Sequence, residues 1–165
     1  MTAATLDMFG APEEATTKWG VLFSAKTDEW PTPQDVVDEW ARRVGPFTLD
    51  VAADAKNAKA ARFYTLERDG LAQDWLKDAG GGAIWINPPY SDVEPFVAKA
   101  IAESARGATV VMLLPARTDT RWFHLVLAVQ DRAELWFLRG RLRFGDAKNS
   151  APFPSMVVVF RPRRK

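Results

Sequence analysis

Cysteine is absent from the sequence, and His124 is the only histidine. These two facts exclude disulfide frameworks, zinc sites built from cysteine and histidine, and catalysis by a thiol nucleophile. No apolar run approaches the roughly 20 residues that a membrane-spanning helix requires, and residues 1–20 lack the basic-then-apolar pattern of a signal peptide. We therefore expect a cytoplasmic protein that uses no metal, with no membrane among its partners.

The composition is that of an ordinary globular domain. The chain has 165 residues, of which 47% are hydrophobic and 26% charged, enough for one hydrophobic core but not for two. Residues 1–27 show little periodicity and are predicted to form a flexible leader. Residues 28–165 are predicted to form a single domain.

Charge is divided unevenly along the chain, although the net charge is only +1. Residues 1–105 carry 10 basic and 17 acidic side chains, whereas residues 106–165 carry 12 basic and 4 acidic ones. Such asymmetry favours a polyanionic partner, because clustered arginines attract phosphates and release counterions. The alternative is a solvated basic face without a partner.

Strand patterns alternate with helix patterns along the domain. The first helix is predicted to begin with Thr32 as N-cap and Pro33 at its first position, and a second with a capping box from Ser91 to Glu94. A third helix is expected over residues 119–129. Strands are predicted over residues 47–53, 62–66, 83–86, 109–114, 133–138 and 155–161. With no helix between the last two strands, the pattern indicates a doubly wound α/β sheet that ends in an antiparallel β-hairpin.

The most informative segment joins the strand over residues 83–86 to the next helix. It reads Asn87-Pro88-Pro89-Tyr90 and lies at the carboxyl edge of the predicted sheet, where open α/β folds bind ligands. Asn87 offers a neutral oxygen acceptor, Pro88 is held out of the α region by the following proline so that its carbonyl points outward, and Tyr90 offers a stacking face. Two acceptors beside an aromatic ring suit a planar group with an exocyclic amino nitrogen, such as a nucleobase or an amide.

This segment resembles the Asp/Asn/Ser-Pro-Pro-Tyr/Phe motif of methyltransferases that alkylate planar amino nitrogens. Six further segments stand in the order seen in phage-encoded DNA N6-adenine methyltransferases of the Dam-like family: residues 28–33 (DEWPTP), 47–53 (FTLDVAA), 69–75 (DGLAQDW), 114–123 (LPARTDTRWF), 140–142 (GRL) and 151–153 (APF). The resemblance implies the class I methyltransferase (Rossmann-like) fold. It also implies S-adenosylmethionine as methyl donor, with S-adenosylhomocysteine as product, and adenine in double-stranded DNA as acceptor.

By the same resemblance, four residues form the catalytic element: Asn87, Pro88, Pro89 and Tyr90. Asn87 and Pro88 accept hydrogen bonds from the amino group of a flipped-out adenine, and Tyr90 stacks on its ring. The cofactor would be bound by Thr32, Pro33, Asp50, Ala52, Asp54, Asp74 and Trp75, of which Asp50 matches the acidic position of the donor-binding motif. The chain departs here from the glycine-rich loop of many methyltransferases, because alanines follow Asp50.

DNA contacts are expected from residues that follow the later strands: Arg117, Arg121, Arg139, Arg141, Arg143 and Phe153. The arginines would bind phosphates, and Phe153 would supply a second stacking surface for the extruded base. A cytoplasmic location in a bacterial host, with a phage or prophage gene as its source, follows from the same resemblance, and no obligate protein partner is indicated. Two alternatives stay open: a methyltransferase that acts on a protein glutamine or an RNA base, and a catalytically silent DNA-binding protein of the same fold.

Overall fold

The architecture is given by a computed structural model that describes residues 31–163. Within that range the helices are α1 (Gln34–Val44), α2 (Trp75–Ala79), α3 (Val93–Arg106) and α4 (Arg121–Leu127). The strands are β1 (Phe47–Asp50), β2 (Arg62–Phe63), β3 (Ala83–Ile86), β4 (Val110–Pro115), β5 (Ala133–Phe137) and β6 (Ser155–Phe160). No helix in the described range is both long enough and apolar enough to cross a bilayer. The predicted leader, residues 1–27, lies outside the described residues.

The six strands form one sheet in the order β2-β1-β3-β4-β6-β5. The first four strands in this order are parallel, whereas β6 runs antiparallel to both β4 and β5. This confirms the predicted α/β sheet that ends in an antiparallel hairpin, and it is consistent with the class I methyltransferase fold. Strands β3, β4 and β6 are buried along their whole length, as their continuous apolar sequences require.

The predicted N-cap of α1 and the predicted capping box of α3 are both wrong. Helix α1 begins one residue later than expected, with Pro33 rather than Thr32 as N-cap and no side-chain cap, because the Pro33 ψ of 137° is extended. Helix α3 begins at Val93 after Asp92, again without a side-chain cap. The Glu94 carboxylate that was expected to complete this box instead pairs with Arg121 across to α4, at 3.1 Å.

The first two strands are shorter than their sequences suggest. β1 ends at Asp50 and β2 at Phe63, because the chain between them turns around polar side chains. The segment between β2 and β3 contains a 3₁₀ turn (Gly70–Ala72), and α2 begins soon after it at Trp75. Strand β4 has one parallel neighbour, β3, and one antiparallel neighbour, β6, which pairs with it over Val110–Pro115.

Gly70 fixes the segment after β2 against the end of β1. A Cβ built on Gly70 would lie 2.5 Å from the Val51 carbonyl oxygen and 2.9 Å from the Val51 Cγ1. Trp75 is fully buried and donates its indole N–H to the Gly70 carbonyl at 2.6 Å. A side chain at position 70 would therefore push the two segments apart.

We predict that Gly70→Ala lowers the free energy of unfolding by about 1–3 kcal/mol, the usual cost of overpacking a core position. Denaturant unfolding measures this directly. The control is Ala102→Ser, which adds one atom on the exposed face of α3 and should change stability by less than about 0.5 kcal/mol. Equal midpoints for the two variants would contradict the close packing of Gly70 on Val51.

Candidate active site

The order in which successive strands join the sheet changes direction between β1 and β3. β2 lies on one side of β1, whereas β3 and then β4 follow on the other side. The carboxyl ends of β1 and β3 are joined by a hydrogen bond of 3.1 Å from the Val51 N–H to the Trp85 carbonyl. Asn87, one residue after β3, therefore lies beside Asp50 and Val51 at the topological switch point, where doubly wound sheets bind their ligands.

An aromatic cluster adjoins this point and consists of Tyr90, Phe144 and Phe153. The Tyr90 ring meets Phe153 edge-on at 5.4 Å between centroids and Phe144 edge-on at 6.4 Å. Burial leaves Tyr90 only 9% exposed and raises the pKa of its phenol. Tyr90 is therefore a neutral aromatic surface at physiological pH and does not serve as a base.

Residues 31–33, the first that the structure describes, lie near the same cluster. The Gly145 N–H donates to the Pro31 carbonyl at 2.9 Å, and Gly145 adopts a φ of +50° with Pro31 against its Cα. Because Gly145 follows Phe144, this contact brings Thr32 and Pro33 to the side of the aromatic cluster. Thr32 is buried there. The structure thus assembles the predicted Thr32-Pro33 segment with the predicted catalytic element.

Asp50 is a buried carboxylate that shapes the loop after β1. Its two oxygens accept from the Ala52 N–H at 3.2 Å and from the Lys59 N–H at 2.9 Å. The side chain is 2% exposed, and desolvation raises its pKa from 3.8 to about 6, against the opposing effect of the two N–H donors. No residue in the described range forms an ion pair with it within 4 Å, so its charge is only partly compensated.

Asp54 organises the same loop. Its Oδ1 accepts from the Lys56 and Asn57 N–H groups at 2.6 and 3.0 Å, and its Oδ2 accepts from the Asn57 amide at 3.0 Å. The Asn57 Oδ1 in return accepts from the Asp54 N–H at 2.9 Å. Together Asp50 and Asp54 hold a loop that has no glycine, with Ala52 between them.

Asp74 is paired with Arg106, whereas Trp75 packs against the Gly70 turn, which itself lies against Val51 at the end of β1. Asp74 caps α2 and forms two bonds of 2.9 and 3.0 Å with Arg106, the last residue of α3, at the amino edge of the sheet. The Arg106 guanidinium lowers the pKa of Asp74 to about 2. Trp75 is fully buried beneath the Gly70 turn. Their role in cofactor binding stays a prediction.

The predicted DNA-binding arginines share the carboxyl edge but differ in their contacts. The Arg117 guanidinium lies 6.0 Å from the centre of the Phe153 ring, and Arg121 pairs with Glu94. Arg139, Arg141 and Arg143 are exposed and form no ion pair with another described residue. Their alternate spacing would place them on one face of a strand, but they do not lie in a strand, because β5 ends at Phe137 and Gly140 turns the chain with a φ of +80°.

A groove of about 520 Å³ is lined in part by Tyr90. Its lining includes Ser91, Asp92 and Glu94 from the start of α3, and Trp122 from α4. The groove is acidic, so it does not suit a phosphate. Among the described residues, no cluster of three or more acidic or histidine side chains is arranged to hold a metal ion.

Comparison with known proteins agrees with this geometry. The family described as DNA N-6-adenine-methyltransferase (Dam) matches residues 21–165. The chain belongs to this family. A DNA N-6-adenine-methyltransferase of Escherichia phage T1 is 36% identical over 118 residues, which cover 72% of this chain and 48% of the phage protein. One of Haemophilus phage HP1 is 36% identical over 124 residues, covering 71% of this chain and 68% of the relative. The chain thus spans about half the length of the first relative and about two thirds of the second.

Two further residues at this edge of the sheet were not predicted from the sequence. Phe144 completes the aromatic cluster, and the only signal for it was its place two residues after the Gly-Arg-Leu segment. Ser155, at the start of β6, has a buried hydroxyl that is 1% exposed and forms no hydrogen bond within the described part of the chain. Buried polar groups of this kind are uncommon, and no sequence pattern distinguishes this serine from an ordinary strand residue.

We predict that Asp50 gives the protein a pH-dependent stability of unusual sign. Between about pH 4 and 6 the folded protein holds a proton that the unfolded chain has released, so the free energy of unfolding falls as pH rises. As pH rises across this window, the free energy of unfolding of Asp50→Asn should increase relative to that of the wild type by on the order of 2–3 kcal/mol. Denaturant unfolding at pH 4, 5, 6 and 7 measures the slope separately from any constant offset.

Asp74→Asn is the control for this slope. Because its pKa is lowered to about 2, the stability that its carboxylate contributes is fully present above about pH 4 and is lost as pH falls below that value. The difference between Asp74→Asn and the wild type should therefore stay constant from pH 4.5 to 7. A constant difference for Asp50→Asn over the same range would show that the Asp50 carboxyl titrates normally.

Proposed function

We propose that the protein transfers a methyl group from S-adenosylmethionine to the N6 amino group of adenine in double-stranded DNA. The observation that carries the proposal is the position of the Asn87-Pro88-Pro89-Tyr90 turn at the switch point of the sheet, beside a buried carboxylate and an aromatic cluster. The proposal is supported by membership in the Dam family and by two phage relatives whose names give the same activity.

The residues at the switch point fit a cationic cofactor. Asp50 is desolvated and only partly compensated, so a positive ligand charge nearby stabilises its ionised form. S-adenosylmethionine supplies, when bound, an electrophilic methyl group on a positively charged sulfonium. The loop carrying Ala52 and Asp54 would hold the cofactor on the β1 side, and Thr32 with Pro33 would close it from the aromatic side.

The turn after β3 would hold the acceptor. The Asn87 Oδ1 and the Pro88 carbonyl accept the two hydrogens of the adenine amino group, which turns the nitrogen lone pair out of conjugation with the ring. Pro89 fixes the backbone of Pro88 in the extended region. Tyr90 packs against the base, and Phe153, whose ring meets Tyr90 edge-on at 5.4 Å, would border the base beside it. Most of the acceleration then comes from holding two reactants in line.

The test is the transfer of labelled methyl from S-adenosylmethionine to unmethylated duplex DNA, followed by digestion to nucleosides. The wild type should yield N6-methyladenine. Asn87→Ala should reduce the rate by at least about 100-fold, because it removes an acceptor that positions the reacting nitrogen, while cofactor affinity changes little. The control Asn149→Ala removes an exposed amide from the β5–β6 connection and should leave the rate within about twofold.

Three results would contradict the proposal. Label in cytosine would make the substrate assignment wrong, and label only in RNA or in protein glutamine would favour the alternative acceptor. Cofactor binding without any methyl transfer to DNA, RNA or protein would favour the other alternative, a catalytically silent DNA-binding protein.

The exposed arginines after β5 would supply the phosphate contacts. Arg139, Arg141 and Arg143 follow a strand that ends at the carboxyl edge, so they project beside the proposed base site without a competing carboxylate among the described residues. Arg121 differs, because its ion pair with Glu94 must be broken or shared when it binds a phosphate. Arg117 is held over Phe153 and would act close to the extruded nucleotide.

We predict that Arg139→Gln with Arg141→Gln weakens duplex binding and lowers the slope of log affinity against log salt by about 2. Cofactor affinity should not change. The matched control is Arg42→Gln with Lys77→Gln, which removes two exposed cations near the amino edge and should leave the salt slope unaltered. Fluorescence anisotropy with a labelled duplex at several salt concentrations measures both. Equal slopes for the two double variants would show that the arginines after β5 do not contact phosphates.

A further inference from the structure

Strand β5 ends on an aromatic side chain that the fold leaves in solvent. Phe137 is 61% exposed, the most exposed large hydrophobic residue in the described chain. Its neighbour Trp136 packs within the protein. The Trp136 ring meets Trp40 edge-on at 5.8 Å between centroids, and the Arg43 guanidinium lies over it, 5.0 Å from the ring centre. Phe137 has no ring contact with a described residue.

The strand register places Phe137 level with the proposed base site. Phe137 pairs with Met156, which pairs in turn with Leu114, two residues beyond the Met112 that pairs with Ile86. The row that contains Phe137 is therefore the row of the turn after β3. Three strand steps separate β3 from β5, which amounts to about 14 Å at the usual spacing.

This separation matches the dimensions of a duplex. The B-DNA major groove is about 12 Å wide, so one duplex on the carboxyl edge reaches both the Asn87 turn and Phe137. The exposed Arg139, Arg141 and Arg143 follow Phe137 directly and provide the charge that a phosphate backbone requires. Proteins that unstack or kink a duplex insert apolar side chains such as phenylalanine between base steps, and the arginines that follow Phe137 would hold the backbone beside such a wedge.

We propose that Phe137 enters the base stack of duplex DNA when the target adenine is extruded. The inference rests on the proposed function and adds a positioning residue to it. The phenyl ring replaces the stacking that the departing base loses, and so lowers the free energy of the extruded state. Phe137 does not touch the cofactor, and a base that is already unpaired does not need it.

The experiment compares methyl transfer to single-stranded circular DNA with transfer to the duplex form of the same sequence. Phe137→Ala should lower the duplex rate at least about 10-fold and leave the single-strand rate within about twofold, since flipping costs a few kcal/mol only in the duplex. Phe137→Trp should keep most of the duplex rate. The control Leu125→Ala removes another exposed hydrophobic side chain, on α4, and should change neither rate.

Thermal unfolding, cofactor affinity and sedimentation are measured on each variant. An unchanged duplex rate in Phe137→Ala, or an equal loss on both substrates, would overturn the inference while the proposed function stands. A dimer in the wild type that dissociates in Phe137→Ala would make the residue a subunit contact and would also overturn it. If the wild type methylates neither form of DNA, the proposed function itself is wrong.

Discussion

The site depends on keeping one carboxylate out of water. Asp50 lies at the end of β1, where the sheet reverses direction, and its burial raises the free energy of the charged form. Two backbone N–H groups, from Ala52 and Lys59, offset part of this cost, and they do so only if the intervening loop adopts one conformation. The carboxylate thus fixes the loop, and the residual uncompensated charge makes the place suitable for a cation.

The rest of the molecule divides its charges between two edges of the sheet. At the amino edge, Arg106 binds both Asp74 and Glu103 and holds α2 against α3. At the carboxyl edge, the arginines after β5 form no ion pair with another described residue. The acidic side chains near Tyr90, Asp92 and Glu94, line the groove beside α3. Consequently, the arginine that joins α2 to α3 and the arginines that follow β5 lie at opposite ends of the strands.

Much of the fold was predictable because the inner strands are continuous apolar runs between turn residues. The same reasoning located Asn87 correctly, since a motif between a buried strand and a helix must lie at the carboxyl edge. The predictions failed where distant contacts decide the local structure. Glu94 was expected to cap its own helix but forms an ion pair with Arg121 of α4. The position of Thr32 depends on the hydrogen bond that the preceding residue, Pro31, accepts from Gly145, far along the chain.

Individual site residues were harder to predict than the fold for the same reason. Phe144 joins Tyr90 only because an irregular connection between β5 and β6 folds back over the sheet. Asp74 was predicted to bind the cofactor from its place before β3, and its ion pair with Arg106, 32 residues away in sequence, could not be predicted. A single sequence records residue types and spacing; it does not record which of two suitable partners lies closer in the folded chain.

The central claim is that the cofactor binds at the switch point between β1 and β3. A crystal structure with S-adenosylhomocysteine tests it most directly. The account predicts the ligand against the loop that follows Asp50, with its sulfur facing the turn that carries Asn87 and with Thr32 and Pro33 over it. A ligand bound instead in the acidic groove between α3 and α4, or at the amino edge beside Asp74, would contradict the account.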